Sequence, residues 1–218
     1  MTDYATARAN MVDGQIRTNR VTDAALIAAF REIPRELFVP KAVRGIAYVD
    51  EDIPLGHGRF LMEPMIFARL LQEARIGQGD VVLDIGCTRG YSTAIIARVA
   101  DTVVAVETRK DLANEATKNL AELGVDNAAI VEGTLEEGYP SQAPYDVIVI
   151  EGGVSAVPDR LFRQLGDGGR LVTVVRQPGA VGRAVLYLKT GDTISHRILF
   201  DANTPILPGF EPVPEFEF

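Results

Sequence analysis

The chain has a single cysteine, Cys87, and only two histidines among its 218 residues. One thiol excludes an internal disulfide, and one thiol with two imidazoles does not assemble a metal-ligand cluster, so no metal is expected. No apolar run reaches the roughly 18 residues that a bilayer-spanning helix needs. The opening Met1-Thr2-Asp3-Tyr4-Ala5-Thr6 lacks the apolar core of a signal peptide. The expected location is therefore the cytoplasm, with no membrane partner. Positive charge is scarce: 22 Lys and Arg stand against 30 Asp and Glu, a net charge of −8. Such a surface repels a phosphate backbone on average, and no basic cluster stands out, so nucleic acid is not an expected partner. Internal repeats and low-complexity linkers are also missing.

What is present is an ordinary globular composition, 47% hydrophobic and 24% charged. The first 75 or so residues read as helical. Asp23 can cap a helix carrying Leu26, Ile27, Phe30 and Ile33, which Pro34 ends. Residues 34–64 read as irregular, broken by Pro34, Pro40, Pro54, Gly56, Gly58 and Pro64. A helix from Met65 to Ala74 follows. From residue 80 strands alternate with helices: strands at 81–85, 103–106, 128–131, 146–150 and 171–175, with helices at 91–99, after Asp111, and around Leu161 and Leu165. Residues 183–189 and 193–200 alternate polar and apolar across Thr190-Gly191-Asp192, an antiparallel hairpin. The pattern predicts an α/β fold: a doubly wound, mostly parallel, Rossmann-like sheet with an antiparallel C-terminal hairpin and an N-terminal helical addition. One domain is expected, made of the addition (1–75), a cofactor-binding core (76–201) and an extended tail (202–218) packed on the body.

The chemistry concentrates in Val81-Val82-Leu83-Asp84-Ile85-Gly86-Cys87-Thr88-Arg89-Gly90. In a parallel sheet, ligands bind beyond the carboxyl ends of the strands. Gly86 and Gly90 let backbone turn sharply and approach a ligand. Glu107, at the tip of the second strand, can accept both hydroxyls of a ribose. The run has no glycine at 88, so it lacks the G-x-G-x-x-G of nicotinamide sites. Asp84, two residues before the first glycine, would repel a pyrophosphate but suits an ammonium and a sulfonium. The expected cofactor is S-adenosylmethionine, held by Asp84, Gly86, Cys87, Thr88, Gly90 and Glu107. The plainer alternatives are a turn-capping Asp84, a solvated Glu107 and a small buried Cys87.

The chain resembles the protein-L-isoaspartate O-methyltransferase family over roughly residues 8–176. The resemblance lies in Met11-Val12-Asp13-Gly14-Gln15-Ile16, Ile33-Pro34-Arg35-Glu36-Leu37-Phe38-Val39-Pro40, Ala47-Tyr48, and Asp52-Ile53-Pro54-Leu55-Gly56-His57-Gly58. It continues through Val82 to Tyr91, Ala143-Pro144-Tyr145-Asp146 and Gly168-Gly169-Arg170-Leu171. The resemblance implies methylation of the carboxylate of isoaspartyl residues in damaged proteins or peptides. The ester then cyclises to a succinimide that reopens partly to aspartate. Such a reaction asks the protein mainly to align carboxylate and sulfonium and to exclude water.

The pattern also departs from that family. Where the family reads Gln-Thr-Ile-Ser-Gln-Pro, this chain has Arg59-Phe60-Leu61-Met62-Glu63-Pro64, so the family's serine is Met62 and its threonine Phe60. In the cofactor turn, Thr88 and Arg89 replace a glycine and a serine, and Thr88 would crowd the ligand if its φ is positive. After the third strand Gly133-Thr134-Leu135 stands for Gly-Asp-Gly, which places Thr134 and Leu135 at the adenine. The catalytic candidates are Arg59, as a bidentate clamp on an acceptor carboxylate or a surface arginine in a loop; His57, as a base or a structural residue; and the Met62 position. Glu151, after the fourth strand, meets the acceptor or caps a turn. Three readings follow: an isoaspartyl methyltransferase, a catalytically impaired S-adenosylmethionine-binding or adaptor protein on the same fold, and a methyltransferase for another acceptor.

Overall fold

The computed structural model describes residues 3–177 and 179–212. The chain enters through α1 (Tyr4–Met11) and α2 (Ala24–Glu32). Asp23 caps α2 as its sequence predicts, its carboxylate accepting from Leu26 N at 2.9 Å. Residues 34–64 are not irregular throughout. They hold two 3-10 stretches, Arg35–Phe38 and Lys41–Ile46, and an antiparallel hairpin of β1 (Ile53–Gly56) and β2 (Arg59–Leu61). Pro54 and the glycines mask the hairpin in the sequence, yet a two-stranded ribbon has only edge strands, where proline is tolerated. α3 (Pro64–Ala74) follows, with proline at its first turn and buried Ile66, Phe67, Leu70 and Leu71 on its inner side.

The remaining strands are β3 (Val81–Ile85), β4 (Thr102–Glu107), β5 (Ala128–Glu132), β6 (Tyr145–Val154), β7 (Leu165–Val175), β8 (Arg183–Thr190) and β9 (Thr193–Asp201). They form one sheet in the order β5-β4-β3-β6-β7-β8-β9. Pairing is parallel from β5 to β7 and antiparallel across β7-β8-β9. The helices α4 (Tyr91–Ile96), α5 (Lys110–Glu122) and α6 (Asp159–Arg163) connect the parallel strands. The doubly wound sheet with its antiparallel hairpin is thus observed. Local boundaries differ: α4 stops at Ile96, Asp111 lies inside the first turn of α5, and Leu165 opens β7 instead of sharing a helix with Leu161.

Strand alternation sorts the core into two layers. Val82, Val103, Val147, Val149, Val172 and Val174 face the N-terminal helices, α3 and α4. Leu83, Ile85, Val104, Val106, Ile148, Ile150 and Leu171 face the opposite side, together with Leu135, Leu161, Leu207 and Phe210. In the described part of the tail, residues 202–212, Leu207 and Phe210 pack into the second layer and are both 3% exposed. Phe216 and Phe218 lie outside the described residues.

Candidate cofactor site

The strand order reverses at β3, whose neighbours β4 and β6 lie on either side, so a crevice opens beyond their carboxyl ends. The register fixes what lines it. Asp84 pairs with Ala105 and Val149, and Glu107 and Glu151 stand two residues further along the neighbouring strands. With a side-chain period of two, all three acids fall on one face of the sheet. They are 0%, 0% and 9% exposed. The convergence of Asp84 and Glu107, read from sequence, holds in three dimensions, and Glu151 joins them as part of β6, not of a turn after it.

Each acid is held differently. One oxygen of Asp84 accepts from Ser92 Oγ at 2.8 Å and Thr93 Oγ1 at 2.7 Å; its Oδ1 is buried without a partner. The Oε1 of Glu151 is likewise buried and unpartnered. Burial pushes the Asp84 carboxyl up to about 6, against the two hydroxyl hydrogen bonds that favour its ionised form. Burial raises the Glu151 carboxyl well above its ordinary value, reinforced by Asp84. Glu107 is also raised by burial, opposed by Arg59.

These shifts carry a pH dependence. A carboxyl whose folded pKa exceeds its unfolded one stabilises the fold fully below the unfolded value, here 3.8, and that contribution is lost as pH rises through about 6. Between pH 4 and pH 7.5 the parent should therefore lose on the order of 2 kcal/mol more stability than Asp84→Asn. Urea denaturation of both proteins at the two pH values measures the difference. Parallel pH profiles would contradict a buried, raised Asp84.

Arg59 overturns its surface reading. It lies on β2, is fully buried, and reaches Glu107 rather than solvent or an acceptor carboxylate. Its Nη1 donates to Glu107 Oε1 at 3.1 Å, its Nη2 lies 3.0 Å from Oε2, and Nη2 donates to the Gly86 carbonyl at 2.8 Å. The rest of Glu107 is also engaged: Thr88 N donates to Oε2 at 2.9 Å and Arg109 N to Oε1 at 3.1 Å. A carboxylate offers about four acceptor positions, and here three N–H groups donate to Glu107 while Arg59 Nη2 lies against it as an ion pair.

The other predicted residues divide into those at the crevice and those away from it. Gly86 has φ +89° and Thr88 φ +50°, a left-handed backbone that a β-branched side chain rarely adopts. Cys87 is buried, and burial raises its thiol well above the ordinary range, the behaviour of a packed, unreactive side chain. Gly90, φ +91°, closes the turn by donating to the Cys87 carbonyl at 2.8 Å. Gly133, just before Thr134, donates to the Glu107 carbonyl at 3.1 Å, which brings that segment to the strand end. Thr134 is exposed and Leu135 is buried in the second core layer. His57 is exposed in the β1–β2 turn, and Phe60 is half-buried. Met62 is a core side chain whose carbonyl accepts from Arg35 Nη2 at 2.6 Å.

Two residues outside the predicted set matter most. Arg35 is fully buried beneath the Tyr91 ring, 4.9 Å from its centroid, and donates to the carbonyls of Ala47 and Met62. A cation amid apolar neighbours in Ile33-Pro34-Arg35-Glu36-Leu37-Phe38 was the available clue. Leu207 reaches the crevice from the tail: a Cβ built on Gly86 would meet its Cδ1 at 3.4 Å, and one on Gly152 its Cγ at 2.5 Å. No sequence signal marks it. Among the described residues, no group of His, Cys, Asp and Glu could hold a metal ion, and no helix is long and apolar enough to cross a membrane.

A mostly parallel sheet with strand-end acids beside a glycine turn is the arrangement of the α/β folds that bind nucleoside cofactors, the methyltransferases among them. The profile described as Protein-L-isoaspartate(D-aspartate) O-methyltransferase (PCMT) matches residues 6–201, and the chain belongs to that family of S-adenosylmethionine-dependent O-methyltransferases. A relative from Methanoculleus marisnigri named protein-L-isoaspartate O-methyltransferase is 43% identical over 168 residues, 77% of this chain and 76% of the relative. Protein-L-isoaspartate O-methyltransferase 1 of Rhodopseudomonas palustris is 38% identical over 189 residues, covering 87% and 77%. A solved protein-L-isoaspartate O-methyltransferase superposes with TM-score 0.80 at 27% identity, over 93% of this chain and 66% of that one. A Plasmodium falciparum structure, solved with S-adenosyl-L-homocysteine, shares the fold at TM-score 0.76 and 20% identity, over 95% of this chain and 99% of that one.

In this arrangement the protein's own side chains take up part of the family's cofactor position. The unpartnered oxygens of Asp84 and Glu151 would suit an ammonium group. Glu107 already accepts three N–H hydrogen bonds and pairs with Arg59, and the space over Gly86 holds Arg59 Nη2 and Leu207.

Proposed function

We propose that this chain is a carboxyl methyltransferase of the isoaspartyl-repair type, taking its methyl group from S-adenosylmethionine and acting on damaged proteins or peptides. The match to the family over residues 6–201 carries this reading. The buried row of Asp84, Glu107 and Glu151 at the sheet switch point supports it. Asp84, Gly86 and Glu107 are the residues proposed to meet the cofactor, and the β1–β2 hairpin with Phe60 and Met62 is the wall proposed to meet the acceptor. The proposed domain organisation is one unit, with the N-terminal helices and the tail folded onto the sheet. Purified protein is expected to transfer labelled methyl from S-adenosylmethionine to an isoaspartyl peptide. Transfer no greater than a no-enzyme blank, beside an active relative, would remove the reading. Because Phe60 and Met62 lack the family's hydroxyls, the double change Phe60→Thr with Met62→Ser is expected to raise transfer to that peptide. An unchanged or lower rate in a folded double variant would argue for a different acceptor.

One observation favours a second reading, a binding protein on the same fold without turnover. Glu107, the carboxylate proposed to meet the ribose, already pairs with Arg59 and accepts from two backbone N–H groups. Transfer above blank to any member of an acceptor panel excludes it.

A further inference from the structure

We propose that Arg59 and Leu207 form a two-part internal closure of the cofactor position, a side-chain cation on Glu107 locked in by the C-terminal strap, which S-adenosylmethionine must displace to bind. The proposal rests on the family reading of Asp84, Gly86 and Glu107 as cofactor-facing residues. It starts from the Arg59 guanidinium, which brings a positive charge and paired N–H donors to the carboxylate that a cationic nucleoside ligand would use. Both ligands need Glu107 oxygens, so occupancy by one excludes the other. The same guanidinium covers Gly86: a Cβ there would lie 2.9 Å from Nη2. Gly86 thus receives the close approach that its missing side chain permits, but from the protein itself.

The strap supplies the second part. Residues 202–212 run along the end of β6, where Gly153 N donates to the Pro205 carbonyl at 2.8 Å and Leu207 N to the Gly153 carbonyl at 2.9 Å. A Cβ on Gly153 would lie 2.8 Å from the Thr204 carbonyl, so only glycine admits the strap this closely. Ser155 N donates to the Phe210 carbonyl at 3.0 Å and pins the far end. Between these anchors Leu207 drops over Gly86 and Gly152, and Pro208 approaches Gly58, next to Arg59. Strap and hairpin therefore meet over the crevice and close it together. Clefts of about 480 Å³ beside Glu73, Arg170 and His196 and of about 400 Å³ against β8 and β9 are lined by other residues.

A ligand that binds only the open state has its apparent affinity reduced by the open fraction, so weakening the closure must tighten binding. The experiment is calorimetry with S-adenosylmethionine and S-adenosylhomocysteine on the parent, Arg59→Gln and Leu207→Ala, each first checked for a cooperative unfolding transition. Arg59→Gln is expected to bind S-adenosylmethionine at least about tenfold more tightly than the parent, and Leu207→Ala a few-fold more tightly. Leu207→Ala leaves the buried ion pair intact and carries the test if Arg59→Gln does not fold. In an Arg59→Gly variant, millimolar guanidinium chloride is expected to weaken cofactor binding, which a purely structural arginine would not produce. Equal affinities in parent and variants overturn the closure while leaving the methyltransferase reading intact. Failure of all the proteins to bind either ligand overturns both.

Discussion

Glu107→Gln is expected to lower the stability of the protein by about 3–5 kcal/mol, the usual consequence of leaving one member of a buried ion pair without its partner. Arg59 and Glu107 are both wholly shielded from water. The guanidinium cannot neutralise itself by losing a proton, so an amide at 107 leaves its charge in a medium that solvates it poorly. The amide also replaces one carboxylate oxygen by an NH2 group, set against the guanidinium and either Thr88 N or Arg109 N. The paired change Arg59→Met with Glu107→Gln should recover most of the loss, because an apolar stem needs no counter-charge and fills a similar volume. Urea unfolding of the two single variants and the double variant closes the cycle. A Glu107→Gln protein within 1 kcal/mol of the parent (roughly the worth of an exposed pair) would show that the pair is not buried in solution.

The second large effect concerns Arg35. Arg35→Met should cost about 3 kcal/mol, through two carbonyls left without donors and the lost contact with the Tyr91 ring. Nε of Arg35 serves the Ala47 carbonyl at 2.7 Å and Nη2 the Met62 carbonyl at 2.6 Å. These bonds tie the 3-10 stretch at 35–38 to the chain on either side of the β1–β2 hairpin, so the hairpin that carries Arg59 should loosen as well. Arg35 is also one of the cations that oppose the rise of Glu151. Chemical denaturation measures the stability, and limited proteolysis across residues 47–62 reads the hairpin. Parent-like behaviour in both would reduce Arg35 to a replaceable stem.

Much of the sheet was legible because its signals are local. Val81–Ile85 and residues 146–150 read as strands, being apolar on both faces, and the hairpin at 183–201 alternates as a ribbon with one wetter face does. The β1–β2 hairpin was not legible, since Pro54, Gly56 and Gly58 signal turns whichever partner a short ribbon finds. The candidate site split in the same way. The strand-end positions of Asp84, Gly86 and Glu107 were legible, and their part in holding a cofactor is the proposal above. Arg59 reads from sequence either as a clamp on an acceptor carboxylate or as a surface arginine, because an isolated charge in a breaker-rich stretch carries no trace of a partner 48 residues away.

The sequence alone determined the strand and helix alternation, the glycine turn and the acids at its edges, because each depends on neighbours within a turn or a strand. Only the tertiary structure decided what those acids hold. Folding brings the 53–61 hairpin and the 202–212 strap over the same sheet end, and a buried carboxylate takes the nearest cation that geometry delivers. That cation is Arg59, and Leu207 shares with it the space over Gly86. Such long-range pairing is set by burial and packing, which no short window of residues records.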